Sequence, residues 1–205
     1  MAGRTRNGAL PIIGQRPAER ADAARNRRKI LEAASRLIAE SGPENLSLDE
    51  VADVARVGVG TVYRRFGDRA GLVQSLLDDR ELRFQEAFMQ GPPPLGPGAP
   101  PAERVRAFLH AHVDRVDDQA ELLLVAEATS PEVRYHDGPY PLLHLHLVTL
   151  LNQLRPGANA HYLAHALLAP LSASLITHQR SNEGLSVAEI KAGIDDLLAF
   201  TGVRP

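Results

Sequence analysis

The chain predicts an all-α fold, with a small helix-turn-helix head joined to a larger helical body. Apolar residues recur at helical spacing through most of its 205 residues. No run alternates with period two between turn signals, so no sheet is expected. The stretch from Val51 to Leu72, VADVARVGVGTVYRRFGDRAGL, holds two short helical patterns hinged at a glycine.

Residues 1–24 carry Arg4, Arg6, Arg16 and Arg20 with Pro11 and Pro17 and no apolar period, which reads as a flexible basic arm. The head spans 25–77. Its first helix is expected from about Asp22 to Ser41, where Ile30, Ala33, Ala34, Leu37 and Ile38 keep helical spacing and Gly42-Pro43 stops the pattern. Ser47 and Glu50 fit a capping box that starts a second helix, ending near Arg56. Gly58 opens a third, about two turns long, which ends at Gly67. At roughly 100° per residue, Val59, Val62 and Phe66 share an apolar face, expected to pack on the first two helices. Gly60, Thr61, Arg64 and Arg65 lie opposite, with Tyr63 on the border. Asp68 caps a fourth helix that runs to about Gln90.

The body spans 78–205. GPPPLGPGAPP at 91–101 is a loop. Helices are expected at about 102–117, 119–129, 140–155, 159–181 and 187–201, the last opened by a second capping box, Ser186 with Glu189. Pro170 should kink the helix it sits in. LLHLHLVTLL at 142–151 is apolar almost all round, which marks a helix buried on several sides.

Charge divides the two parts. Residues 1–77 hold 13 Lys and Arg against 9 Asp and Glu, whereas the rest hold 10 against 16. A basic head on an acidic body suggests a polyanion partner for the head alone. Zero Cys excludes disulfides and thiolate chemistry and suits the cytoplasm. No apolar run reaches the roughly 18 residues of a membrane span, and the Pro-broken start does not fit a signal peptide. Neither G-x-S-x-G, a P-loop nor H-E-x-x-H occurs, so an enzyme is not expected. His110 with His112, and His144 with His146, stand two apart and point to different helix faces, so neither pair chelates one ion. His161 and His165 share a face without a carboxylate near in sequence. No metal and no cofactor are expected.

Helix, tight turn and short helix is a solution to reading duplex DNA, whose major groove admits one α-helix. Gly60 lets the backbone approach closely, Thr61 and Tyr63 offer hydroxyls, and the arginines offer charge-assisted bonds to phosphate or a bidentate grip on guanine. Val51, Ala52, Ala55, Val57, Gly60, Thr61, Tyr63, Phe66 and Leu72 resemble, in register, the head of the tetracycline-repressor-like (TetR) transcriptional regulators of bacteria. Three positions depart. Arg56 replaces the usual turn glycine, Gly58 the usual serine cap, and Arg69 the usual lysine.

The resemblance implies a homodimeric regulator, most often a repressor released from a palindromic operator by a small-molecule effector. Effector binding in the body would move the fourth helix and change the spacing of two heads that must match half-sites about 34–36 Å apart, or multiples of that. Carried over by position, Val59, Gly60, Thr61, Tyr63, Arg64 and Arg65 resemble DNA-facing residues, and Ser47 and Arg69 resemble phosphate contacts at two helix N-termini. Tyr63, Thr61 and Arg69 are expected to hold the backbone, with Arg64 or Arg65 reading bases. In the body, Phe108, His112, Tyr135, His144 and Leu147 are candidate walls of a ligand cavity. The last two helices are expected to form the dimer interface through Leu167, Leu171, Leu175, Ile194, Leu197 and Leu198.

Overall fold

The computed structural model describes residues 16–129, 135 and 139–200, and every regular element among them is helical. Two compact units divide between Leu76 and Leu77. The arm's Arg4 and Arg6, and His136, lie outside the described residues.

The first unit contains α1 (Arg16–Ser41), a 3-10 turn (Pro43–Asn45), α2 (Leu48–Ala55), α3 (Val59–Phe66) and the start of α4 (Arg69–Gln90). Helix α1 begins at Arg16, ahead of the predicted Asp22, because Pro17 falls in its first turn, where a missing N–H costs nothing. Its residues Ile30, Leu31, Ala33, Ala34 and Leu37 are buried with Leu48, Val51, Ala52 and Ala55 of α2. Leu46, Val62, Phe66, Leu72 and Leu76 complete the buried apolar set of this unit.

The turn between α2 and α3 carries the main departure from the family pattern. Arg56 adopts φ 54 and ψ 49, the left-handed conformation that a glycine adopts without strain. Its N–H donates to the Asp53 carbonyl at 3.1 Å and the Val57 N–H donates to the Ala52 carbonyl at 3.0 Å. Those two bonds are the Schellman pattern that closes a helix C-terminus. The geometry is thus kept although the glycine is not, at a conformational cost of about 1 kcal/mol. Ser47 caps α2, its Oγ accepting the Glu50 N–H at 3.5 Å, and Asp68 caps α4, its Oδ1 accepting the Gly71 N–H at 2.8 Å.

In the second unit the remainder of α4 is followed by α5 (Pro101–Asp118), α6 (Ala120–Thr129), α7 (Tyr140–Leu154), α8 (Ala160–Leu168), a 3-10 turn (Ala169–Leu171), α9 (Ala173–Ser181) and α10 (Val187–Phe200). Pro170 does more than kink the helix expected over 159–181. It ends α8 in the 3-10 turn, Ser172 turns extended, and its Oγ caps α9 by accepting the Leu175 N–H at 3.3 Å. The second capping box forms in full: Ser186 Oγ accepts the Glu189 N–H at 3.2 Å, and Glu189 Oε2 accepts the Ser186 N–H at 2.7 Å. On α7, Leu143, Leu147, Val148, Leu150 and Leu151 are buried but Leu145 is exposed, so this helix keeps one open side.

Three carboxylates of the body pair across helices. Asp195 of α10 accepts from Arg106 Nε and Nη2 at 2.7 and 2.6 Å, Asp114 from Lys191 at 2.5 Å, and Asp117 from Arg180 at 2.8 Å. The Arg106 bond, then the nearby His110, hold the Asp195 carboxyl below its usual range despite some burial. Such exposed pairs fix the register of α5 against α9 and α10 more than they stabilise it.

The body core centres on Phe84 and Phe88 of α4 and Phe108 of α5, all buried, with ring centroids 5.2–5.5 Å apart. His146 of α7 packs its ring 4.4 Å from Phe88 and 4.9 Å from Phe108. Burial, and then the charge of Arg104, push its imidazole down to about 4 from 6.5.

Two outcomes follow from these features. Arg56→Gly should raise the urea midpoint, by about 1 kcal/mol of stability, with no change in slope, whereas Arg56→Ala should not. Between pH 6.5 and about 4 the unfolded chain takes up a proton at His146 that the folded one refuses, so stability should fall as pH drops through that window. Denaturant melts of His146→Phe should show that part of the slope removed.

Candidate nucleic-acid interface

Helix α3 is seated by two side chains, Val62 and Phe66, both buried. Everything else on it is open or half open. Gly60, Tyr63, Arg64 and Arg65 are exposed and Thr61 is half-buried. Val59, expected on the packed face, is 39 % exposed and joins the outward set instead. The reason is length: a helix of eight residues reaches the core once per turn, and Val62 and Phe66 fill both places. A Cβ placed on Gly60 would meet nothing within 4 Å, so the chain's own packing does not require glycine there.

The two neighbouring arginines separate. Arg65 Nη1 donates to the Ala23 carbonyl at 2.9 Å, which ties α3 back to α1. Arg64 stands exposed on the outward face beside it. Arg69, the first residue of α4, donates to the Glu44 carbonyl in the 3-10 turn. The Ser47 hydroxyl accepts its helix N–H and keeps its own proton for an outside acceptor. Arg27 of α1 was not legible as part of this arrangement. Its guanidinium lies 6.0 Å from the Phe66 ring centroid and Nη2 donates to the Ser75 carbonyl at 3.4 Å, so it braces the seat of α3 from behind.

The five body residues expected around one cavity fall into two groups. Phe108, His112 and Leu147 are buried in the aromatic core, where the His112 ring lies parallel to Phe108 at 6.3 Å and near Phe84 at 5.9 Å. That core also holds Phe88, Arg104 and His146, which the sequence reading passed over. Tyr135 and His144 belong elsewhere. Tyr135 is exposed and its ring meets Tyr140 at 4.9 Å, and Tyr140 lies 6.2 Å from His144. His144 stacks on His165 at 4.1 Å, lies 5.4 Å from His161, and donates from Nε2 to the His161 carbonyl at 3.1 Å. Burial first, and then those two neighbouring imidazoles, lower the pKa of His165. Among the described residues no three His, Asp or Glu side chains are arranged to hold a metal ion.

The dimer expectation needs a correction. Leu167, Leu171, Ile194 and Leu198 are buried in the core of the chain itself, so none of them has surface left for a second copy. Leu175 and Leu197 are 38 % and 37 % exposed, and Phe200 beyond them is 91 % exposed.

The family model described as "Bacterial regulatory proteins, tetR family" matches residues 30–76. A helix-turn-helix-type transcriptional regulator of Staphylococcus aureus is 43 % identical over 53 residues, which is 26 % of this chain and 29 % of that protein. The matched stretch thus spans under a third of the curated relatives. Solved structures extend the likeness to the whole fold at low identity. A TetR-family regulator from Pectobacterium atrosepticum superposes with TM-score 0.60 at 20 % identity, covering 87 % of this chain and 95 % of that one. A transcriptional regulator from Saccharomonospora viridis in complex with choline gives 0.64 at 20 %, covering 84 % and 95 %. FadR from Bacillus subtilis in complex with stearoyl-CoA gives 0.56 at 17 %, covering 83 % and 96 %. The head of this chain, residues 30–76, thus matches the tetR-family model, and the chain as a whole shares the helical fold of these regulators.

Proposed function

We propose that this protein is a sequence-specific DNA-binding transcriptional regulator that acts in the cytoplasm. It represses as a homodimer on a palindromic operator and leaves it when a small molecule binds the body. The observation that carries this is the outward face of α3. Val59, Gly60, Tyr63 and Arg64 stand open on a helix whose other side is seated by Val62 and Phe66. Arg69 and Ser47 flank it at two helix N-termini, where backbone N–H groups favour phosphate.

The release step is supported by α4, one continuous helix whose residues Leu72 and Leu76 are buried in the first unit and Phe84 and Phe88 in the second. A ligand that favours one packing of Phe84 and Phe88 would shift the population of α4 positions, and so of head spacings. Structural neighbours that carry choline or stearoyl-CoA support a small-molecule site in such a body. No helix among the described residues is long and apolar enough to cross a membrane.

Gel shift on the DNA upstream of the gene, with calf-thymus competitor, tests the reading; no preference for any fragment overturns it. Arg64→Ala should cost about 1–3 kcal/mol of discrimination between operator and competitor. Arg69→Ala should weaken binding to both alike and reduce the slope of log affinity against log salt by about one. For assembly, sedimentation at micromolar concentration should show a dimer, and Leu175→Glu with Leu197→Glu should give monomer. Leu167→Ala, by contrast, should lower thermal stability through the cavity it leaves.

A further inference from the structure

We propose that the small molecule held by the body is an organic anion, a carboxylate on an apolar frame, with its charge on Arg104 and His146 and its frame against Phe88 and Phe108. The inference rests on the body being a ligand-binding unit and specifies the charge and shape of what it binds.

Arg104 lies in the first turns of α5 and its guanidinium is only partly satisfied. Nη2 donates to the Phe88 carbonyl at 3.1 Å, while Nε is buried without a hydrogen-bond partner. Among the described residues no carboxylate pairs with it. The acid of this core, Glu81, is held at 2.8 Å by Arg115, which lies over the Phe84 ring. His146 is the second unsatisfied group, its Nε2 enclosed and without a partner. The two belong to one place. The carbonyl that Arg104 grips is that of Phe88, whose ring is 4.4 Å from His146, and the charge of Arg104 acts on that imidazole.

A half-buried guanidinium whose enclosed Nε has no partner, a half-buried imidazole whose enclosed Nε2 has none, and two buried phenyl rings define complementary chemistry. A bound carboxylate would accept from Arg104 Nε with one oxygen and from His146 Nε2–H with the other, and would neutralise the guanidinium in a low-dielectric surround. A cation would meet Arg104 by repulsion. A neutral molecule would leave the charge uncompensated. The rings then select a flat or flexible apolar frame. His112 is excluded from this role because its Nδ1 already faces Arg115 Nη2 at 3.4 Å.

The test is calorimetric titration of the full-length protein, without DNA, by benzoate and octanoate, with benzyl alcohol and choline as neutral and cationic counterparts. At least one carboxylate should bind, and both counterparts at least tenfold more weakly. Arg104→Gln and His146→Phe should each lose tenfold or more in affinity. A readout in the unmodified protein guards against variants that misfold. The His146 imidazole resonances should move on carboxylate addition, and the pH at which they titrate should rise from about 4. Absence of carboxylate binding, equal binding of benzyl alcohol or choline, or an unmoved His146 titration overturns the proposal. Gel shift with the bound carboxylate separates the two readings. Binding without operator release keeps the anion site and removes its regulatory role.

Discussion

A helix of eight residues has too few internal hydrogen bonds to persist in water by itself, so α3 exists only while it is docked. Its seat consists of Val62 and Phe66, and the rest of the head is arranged around keeping those two in place. Arg56 folds the chain into the left-handed turn that aims α3. Gly67 ends it at φ 78, Arg65 ties its last turn to α1, and Arg27 lies behind the Phe66 ring. The outward side chains are therefore presented by the buried ones. An arginine substitution on the open face changes what is recognised, and a substitution at Val62 or Phe66 removes the element that recognises.

The head was legible because its signals are local. Apolar period, Ser47 and Asp68 caps and glycine stops all act within one or two turns, and apart from the earlier start of α1 the elements fall where those signals place them. Two features were not legible, for reasons of distance and length. Arg65 looks equivalent to Arg64 in sequence, but its partner is the carbonyl of Ala23, 42 residues away. Val59 has the right residue type and the right angle to be core, yet a two-turn helix offers no third place to bury it. Periodicity assigns a face without saying how much of that face the neighbours cover.

The body shows the same limit on a larger scale. The stripes on α8 and α10 were correctly apolar, but apolar spacing does not distinguish burial in one's own chain from burial against a copy. Leu167, Leu171, Ile194 and Leu198 went to the first, and Leu175 and Leu197 stayed open. The single helix expected over 159–181, kinked at Pro170, is instead two helices, since Ser172 offers a fresh cap where the missing N–H interrupts the ladder. Histidine spacing fared better. Residues two apart point to different faces, and both pairs follow this: His110 meets Asp195 while His112 enters the aromatic core, and His144 stacks on His165 while His146 packs on Phe88. The third imidazole beside His161 and His165 came from another helix, α7, and so was invisible in sequence.

The distribution of carboxylates within the body completes the picture. It carries 16 Asp and Glu against 10 Lys and Arg, so acid is plentiful. Asp114, Asp117 and Asp195 sit at the rim, where solvent would screen a charge in any case, and each has a cationic partner there. Glu81 answers Arg115 in the half-buried layer below. Arg104, half-buried with its Nε enclosed, donates from Nη2 to the Phe88 carbonyl and has no carboxylate partner among the described residues. An enclosed guanidinium N–H without an acceptor is costly, and here it stands in a unit where acid is plentiful. The acceptors that Arg104 Nε and His146 Nε2 lack within the chain are the ones a small organic acid would bring, so the same two atoms would set its affinity and its orientation.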